Sequence, residues 1–129
     1  MVDFHAEATS EKQALAHYLK GRVSLLYGTH SHVPTADERI FAGGTGYTTD
    51  LGMTGPYDSV IGIRAEAALL RMQTGDRKRF EPATNDLWFC FVLADIDPIN
   101  GKCIKIERHR WEWDEIKKRL DLDDNDAEA

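Results

Sequence analysis

The chain has 129 residues, 42% of them hydrophobic and 29% charged, with a formal net charge of −6. That length can bury one core and is short for two ordinary domains. Five of its acids, Asp121, Asp123, Asp124, Asp126 and Glu128, crowd the carboxyl end, so the remainder is close to neutral and lacks the basic face that a nucleic-acid duplex demands.

Val2–Phe4 reads as a short strand that delivers His5 at its end. Thr9 or Ser10 is placed to cap a helix with Glu11 in its first turn. Leu15 and Leu19, four residues apart, mark its apolar side, and Gly21 stops it. His17, two residues from each leucine, is expected to face solvent. Val23–Tyr27 follows as a buried strand. Strand, helix and strand at this spacing form a βαβ unit with parallel, adjacent strands. His5 and His30 should therefore meet at one edge of the sheet.

His30 and His32 stand in Gly28-Thr29-His30-Ser31-His32. Imidazole is the commonest protein donor to transition metals, and a tight turn after a buried strand is where α/β folds present chemistry. The spacing alone leaves two readings open, a pair of metal ligands or two polar loop histidines. Asp3, Glu7, Asp37 and Asp50 are the nearby carboxylates and read as solvated or capping acids. A mononuclear site of three histidines with an open position for water is a further possibility, since three imidazoles suffice in some zinc enzymes.

Ile40-Phe41, the Gly43-Gly44 turn and Gly46–Asp50 suggest a hairpin. Gly52–Gly62, with Pro56, Tyr57 and Asp58, reads as a surface loop, either a plain connection or part of a substrate cleft. Arg64–Gln73 has Ala65, Ala68, Leu69 and Met72 on one helical face. Leu87–Ile96 and Cys103–Arg108 are extended runs joined through Asn100-Gly101, a strong hairpin signal. Because both alternating sets of Leu87–Ile96 are apolar, that strand is expected to be covered on both faces. His109, among Arg108, Arg110 and Trp111, is expected to be exposed. Trp111–Leu120 suggests a terminal helix, and the acidic tail after it is expected to be disordered. Cys90 and Cys103 lack Cys-x-x-Cys spacing, and no run is long enough for a membrane span, so a reduced, cytoplasmic protein is expected.

Four blocks carry a resemblance. Val2-Asp3-Phe4-His5-Ala6-Glu7-Ala8-Thr9-Ser10-Glu11-Lys12, Gly28-Thr29-His30-Ser31-His32-Val33 with Thr35-Ala36-Asp37-Glu38-Arg39, Gly43-Gly44-Thr45, and Gly52-Met53-Thr54-Gly55-Pro56-Tyr57-Asp58-Ser59-Val60-Ile61-Gly62 resemble the bacterial YmdB-like metallophosphoesterases. The likeness runs from Val2 to about Arg108 and covers the second half of the family pattern. It implies an α/β fold, part of a four-layer α/β/β/α sandwich truncated at its amino-terminal half, with residues 1–110 as that half-domain and 111–129 as terminal helix and tail. It also implies two divalent transition-metal ions (Mn, Fe or Zn), with His5 and His30 on one and His32 on the other, acting on a small phosphodiester such as a cyclic nucleotide.

The family's remaining ligands, an early Asp, a bridging Glu and two Asn, and the histidine that protonates the leaving group, belong to the first half of the pattern. No stretch of this chain resembles those segments. With Met1 directly before the first strand, the chain reads as a truncated gene product, half of a split gene or an expressed fragment. Two metal ions need a bridging anion to sit about 3.5–4 Å apart, and three neutral imidazoles do not supply one. The resulting expectations are an incomplete phosphodiesterase or, alternatively, a non-catalytic metal-binding or partner-binding module that completes its site with another chain. Strands meant to lie inside a larger sheet also predict a homo-oligomer or a complementary amino-terminal half as partner.

Overall fold

A computed structural model describes residues 1–75 and 79–120. It shows a mixed α/β chain with two sheets and, among the described residues, three helices. The elements are β1 (Val2–His5), α1 (Thr9–Leu19), β2 (Leu25–Thr29), β3 (Arg39–Phe41), β4 (Thr45–Thr48), β5 (Gly55–Pro56), α2 (Ala65–Thr74), β6 (Leu87–Ile96), β7 (Cys103–Glu112) and α3 (Trp113–Leu120). Contacts divide the chain into two compact units, residues 1–53 with 90–109, and residues 54–89 with 110–129.

In the first unit the βαβ expectation holds. β1 and β2 are parallel neighbours, with Asp3 opposite Tyr27 and His5 opposite Thr29. β4 adds a third parallel strand on the far side of β2, and β3 closes that edge antiparallel to β4, giving the order β1-β2-β4-β3. The hairpin turn reads as expected: Gly43 and Gly44 both take positive φ, +99° and +86°, and the Gly44 amide donates to the Phe41 carbonyl. Side chains with a Cβ resist that conformation.

One face of the sheet packs against α1. Ala16, Leu26 and Tyr47 are fully buried there, with Val2, Leu15, Leu19 and Phe41 around them. On β2, Leu25 points to the other face, where Gly46 leaves room for the β7 residue Cys103. A Cβ at Gly46 would lie 2.8 Å from the Cys103 Sγ. The Cys103 amide donates to the Gly44 carbonyl at 2.7 Å, and burial pushes the Cys103 thiol pKa up. Cys90 and Cys103 are both buried, and neither is in a disulfide.

Several local expectations are corrected. Neither Thr9 nor Ser10 caps α1: both lie inside the first turn, Ala8 holds the cap position, and no side chain bonds there. β6 is covered unequally, with Phe91 the one apolar residue of its more open face that is half-buried. Cys90 is buried and Trp88, Val92 and Ala94 are half-buried, whereas Leu87, Phe89 and Leu93 on the alternate face are exposed, Leu93 by 53%. His109 is half-buried and stacks on Phe91 at 5.1 Å between ring centroids. The strand β7 runs to Glu112, so the last helix starts at Trp113. His17 is exposed, as expected, with its ring against Phe41. The Asn100-Gly101 turn forms with Gly101 at φ +71° and Asp97 accepting from the Ile99 amide.

In the second unit α2 forms as expected and ends at Gly75, whose φ of +72° closes the helix onto the Arg71 carbonyl. Its predicted apolar face is not buried: Ala68 is, but Leu69 and Met72 are exposed. The Gly52–Gly62 segment is more ordered than a plain loop. Gly55 and Pro56 pair antiparallel with Trp88 and Leu87. The Ser59 hydroxyl donates to the Pro56 carbonyl and accepts from the Gly62 amide. The acidic tail expected to be disordered lies outside the described residues.

Candidate metal centre

β1, β2 and β4 run parallel, so their carboxyl ends share one edge, and ligands of α/β sheets bind at that edge. His5 is the last residue of β1 and lies opposite Thr29, the last of β2. The His5 Nδ1 is 3.0 Å from the Thr29 Oγ1, and its Nε2 is 3.2 Å from the His30 Nδ1, with the rings edge to face. Both imidazoles are exposed. The structure thus brings together the two histidines that the βαβ reading placed at one edge.

The arrangement suits a shared divalent ion. Two imidazole nitrogens about 2.0–2.1 Å from one tetrahedral ion lie a little over 3 Å apart, which matches the observed 3.2 Å. In the tautomer with its proton on Nδ1, His5 donates to the Thr29 hydroxyl and turns its Nε2 lone pair toward His30, the arrangement that an outer hydrogen bond typically gives a ligating histidine. Among the described residues, however, no three His, Cys, Asp or Glu side chains gather closely enough to hold a metal. His32 does not join His5 and His30 in one cluster.

The loop that carries His30 and His32 is strained. Their φ angles are +130° and +63°, in a region that residues with a side chain rarely adopt. Such backbone persists only where surrounding contacts fix it, and it collects at functional sites. Asp50 supplies part of that fixing. Its Oδ2 accepts from the Ser31 amide, between the two histidines, and from the Lys12 ammonium at 3.0 Å. Its Oδ1 accepts from the Gly52 amide. Burial pushes the Asp50 carboxyl up, but the Ser31 and Gly52 amides, Lys12 and the Ser31 side chain outweigh it and hold the pKa below the usual carboxylate range.

A second brace lies beside it. Asp37 accepts from the Thr35 hydroxyl and from the amide and hydroxyl of Thr49, while Thr35 bonds the backbone of Asp50. Burial pushes the Asp37 carboxyl up, yet the Thr35 and Thr49 hydroxyls and the backbone amides bring it below its ordinary value. Asp3 is exposed beside Tyr27. Burial, followed by the Asp3 charge and hydrogen bond, pushes the Tyr27 phenol up. Neither a capping nor a solvated role fits Asp37 and Asp50: the described helices α1 and α2 have Ala8 and Arg64 at their cap positions, both acids accept from amides outside helices, and Asp50 is only 1% exposed. The role of Lys12, 2% exposed, was not anticipated from the sequence.

A family model described as YmdB-like protein matches residues 1–109. The chain belongs to the YmdB-like family. It is 50% identical over 107 residues to a 2',3'-cyclic-nucleotide 2'-phosphodiesterase of Bacillus subtilis, a match that covers 83% of this chain and 40% of that protein. A solved structure described as a novel phosphatase from Mycoplasma pneumoniae superposes with a TM-score of 0.83 at 38% identity, over 95% of this chain and 46% of that one. A hypothetical protein from Thermus thermophilus gives 0.80 at 45% identity, over 86% and 44%. The chain therefore spans less than half the length of these relatives.

Proposed function

We propose that this chain supplies the histidine side of the metal centre of a phosphodiesterase acting on a small phosphodiester, a cyclic nucleotide among them. The observation that carries this reading is the His5–His30 pair, 3.2 Å apart at the carboxyl edge of parallel strands, in a YmdB-like chain whose relatives include a cyclic-nucleotide phosphodiesterase. His5 and His30 hold one divalent ion of the Mn, Fe or Zn type. His32, which stands outside their cluster, is the ligand left for a second. When bound, such ions polarise the phosphodiester and lower the pKa of water. The chain's own contribution is to hold imidazoles at the sheet edge, with Thr29 orienting His5 and Asp50 tying down the intervening Ser31.

The remaining ligands, an Asp, a bridging Glu and two Asn, come from the part of the family pattern that this chain does not span. In that setting residues 1–110 form part of a four-layer sandwich in a reduced, cytoplasmic protein, with 111–129 appended. The end of the family match at residue 109 supports that division. The absence of any three-residue metal cluster among the described residues favours a second reading for the chain alone, a metal-binding module that is silent until another polypeptide or its own copy completes the site.

Calorimetric titration with Mn or Zn tests both readings. At most one well-occupied site per chain is expected, and it is lost in His30→Ala. Unchanged affinity in that variant overturns the site. In parallel, the chain alone is expected to hydrolyse bis(p-nitrophenyl) phosphate no faster than a His30→Ala/His32→Ala control. Turnover that depends on His32 overturns the incomplete-site reading and makes the chain an enzyme by itself.

A further inference from the structure

The Gly28-Thr29-His30-Ser31-His32 loop rests on a buried ion pair that none of its ligand chemistry requires. Lys12 lies on α1, which packs on one face of the sheet, and its stem crosses the backbone of β2 at Gly28 to reach Asp50 just beyond β4. A Cβ at Gly28 would meet the Thr49 carbonyl oxygen at 2.0 Å and the Lys12 Cδ at 2.7 Å. Glycine is therefore required so that lysine stem and carbonyl can both pass. The Gly28 carbonyl in turn accepts from the Leu51 amide, and the Asp50 carbonyl accepts from the Thr35 amide. The end of β2 is thus tied to the segment after β4 by the Gly28–Leu51 bond, with the Lys12 stem packed against Gly28 and its ammonium on Asp50.

We propose that Lys12 and Asp50 are positioning residues for the histidine loop: the pair, passing under Gly28, fixes Ser31 and thereby holds His30 and His32 in their left-handed backbone conformations before any metal arrives. The inference rests on the proposed metal site but is carried by separate contacts. Asp50 grips the single amide between the two histidines and the Gly52 amide with one carboxylate, whose charge Lys12 neutralises at 3.0 Å in a site with almost no solvent. Charge-assisted bonds of this kind are about twice as strong as neutral ones, and a loop that carries two residues at positive φ needs such an anchor. Without it the loop relaxes toward ordinary backbone, and binding an ion must then order it again.

The test uses the full chain in three forms: the parent, Asp50→Asn, and Lys12→Met/Asp50→Asn, the last free of an uncompensated buried charge should the single variant fold poorly. Metal-free protein is followed by amide hydrogen exchange at Ser31 and Gly52 and by backbone chemical shifts of His30 and His32. The same samples are then titrated with Mn alone. Loss of Ser31 protection, histidine shifts moving toward ordinary backbone values, and Mn binding weaker by about 10- to 100-fold are expected in both variants, with cooperative melting kept in the double variant. A double variant whose Ser31 protection and histidine shifts equal the parent's overturns the proposal, whatever its melting temperature. Should the parent bind no Mn while the variants still lose Ser31 protection, positioning stands and the metal reading fails.

Discussion

At the scale of single residues the site depends on carboxylates that sit behind it. Asp37 and Asp50 are both held below the ordinary carboxylate range by hydrogen bonds that outweigh their burial. A lowered pKa in the folded state means that the unfolded chain binds more protons in acid, so stability from these groups is complete above the unfolded value, about 3.9, and is lost as pH falls through the folded values. Urea unfolding should therefore give a flat contribution from pH 7 to about pH 5 and a decline below about pH 4. Asp37→Asn should lower stability by about 1–3 kcal/mol at pH 7, because Thr35 and Thr49 lose a charged acceptor. It should also flatten the acid limb, and an unchanged acid limb would exclude Asp37 as a source. Lys12→Met alone should cost more, about 3–5 kcal/mol, since it strands a buried carboxylate. At Gly28 the Cβ of alanine has no space between the Thr49 carbonyl and Lys12. Gly28→Ala is expected to cost about 1–3 kcal/mol or more by overpacking, read from the same unfolding curves.

At the scale of elements, the parallel β1-α1-β2 unit and both hairpin turns were legible because they rest on local chemistry. Glycines set the turns, and strand, helix and strand in sequence force a crossover. The His5–His30 meeting follows from that crossover alone. What was not legible came from contacts between distant residues. Lys12 lies at the head of the stripe Lys12, Leu15, Ala16, Leu19 on α1, where a charge among inward positions signals a buried partner. Its partner, Asp50, is 38 residues away, and no periodicity in the sequence joins them. The unequal cover of β6 is not visible in the sequence for the complementary reason. Alternation shows that both faces are apolar, but only packing shows which one meets another element. Within the first unit, Leu26 and Tyr47 are where α1 closes on the sheet. Leu26→Ala should destabilise by about 2–5 kcal/mol through the cavity it leaves. Ile40→Ala on β3, an exposed position, should change stability by no more than about 0.5 kcal/mol. Equal losses at the two positions would contradict the placement of the core.

At the scale of the whole molecule, what the chain leaves uncovered is as informative as what it buries. β1 is an edge strand: β2 occupies one side, and among the described residues no strand pairs with the other. An unpaired strand edge is a ready template for pairing with another chain unless it is short, charged or covered. Apolar side chains are exposed in both units, Leu93, Ile96 and Ile104 in the first, and Leu69, Leu70, Met72 and Phe89 in the second. Where such residues lie together they mark interaction surfaces. The chain covers 40% of the length of one relative, and under the function proposed above such surfaces are where the missing ligand-bearing part would pack. In isolation the 129-residue chain should therefore associate, as a dimer or larger, through an apolar interface of the obligate kind, which buries over about 2,000 Å². Light scattering coupled to size exclusion at tens of micromolar reads this directly. Leu93→Lys, which puts a charge on the exposed face of β6, should shift the population toward monomer without unfolding the first unit, since Leu93 takes no part in its buried core. A clean monomer with a cooperative melt, in the parent chain, would refute the open-edge argument and leave an independently folded metal-binding module as the better description.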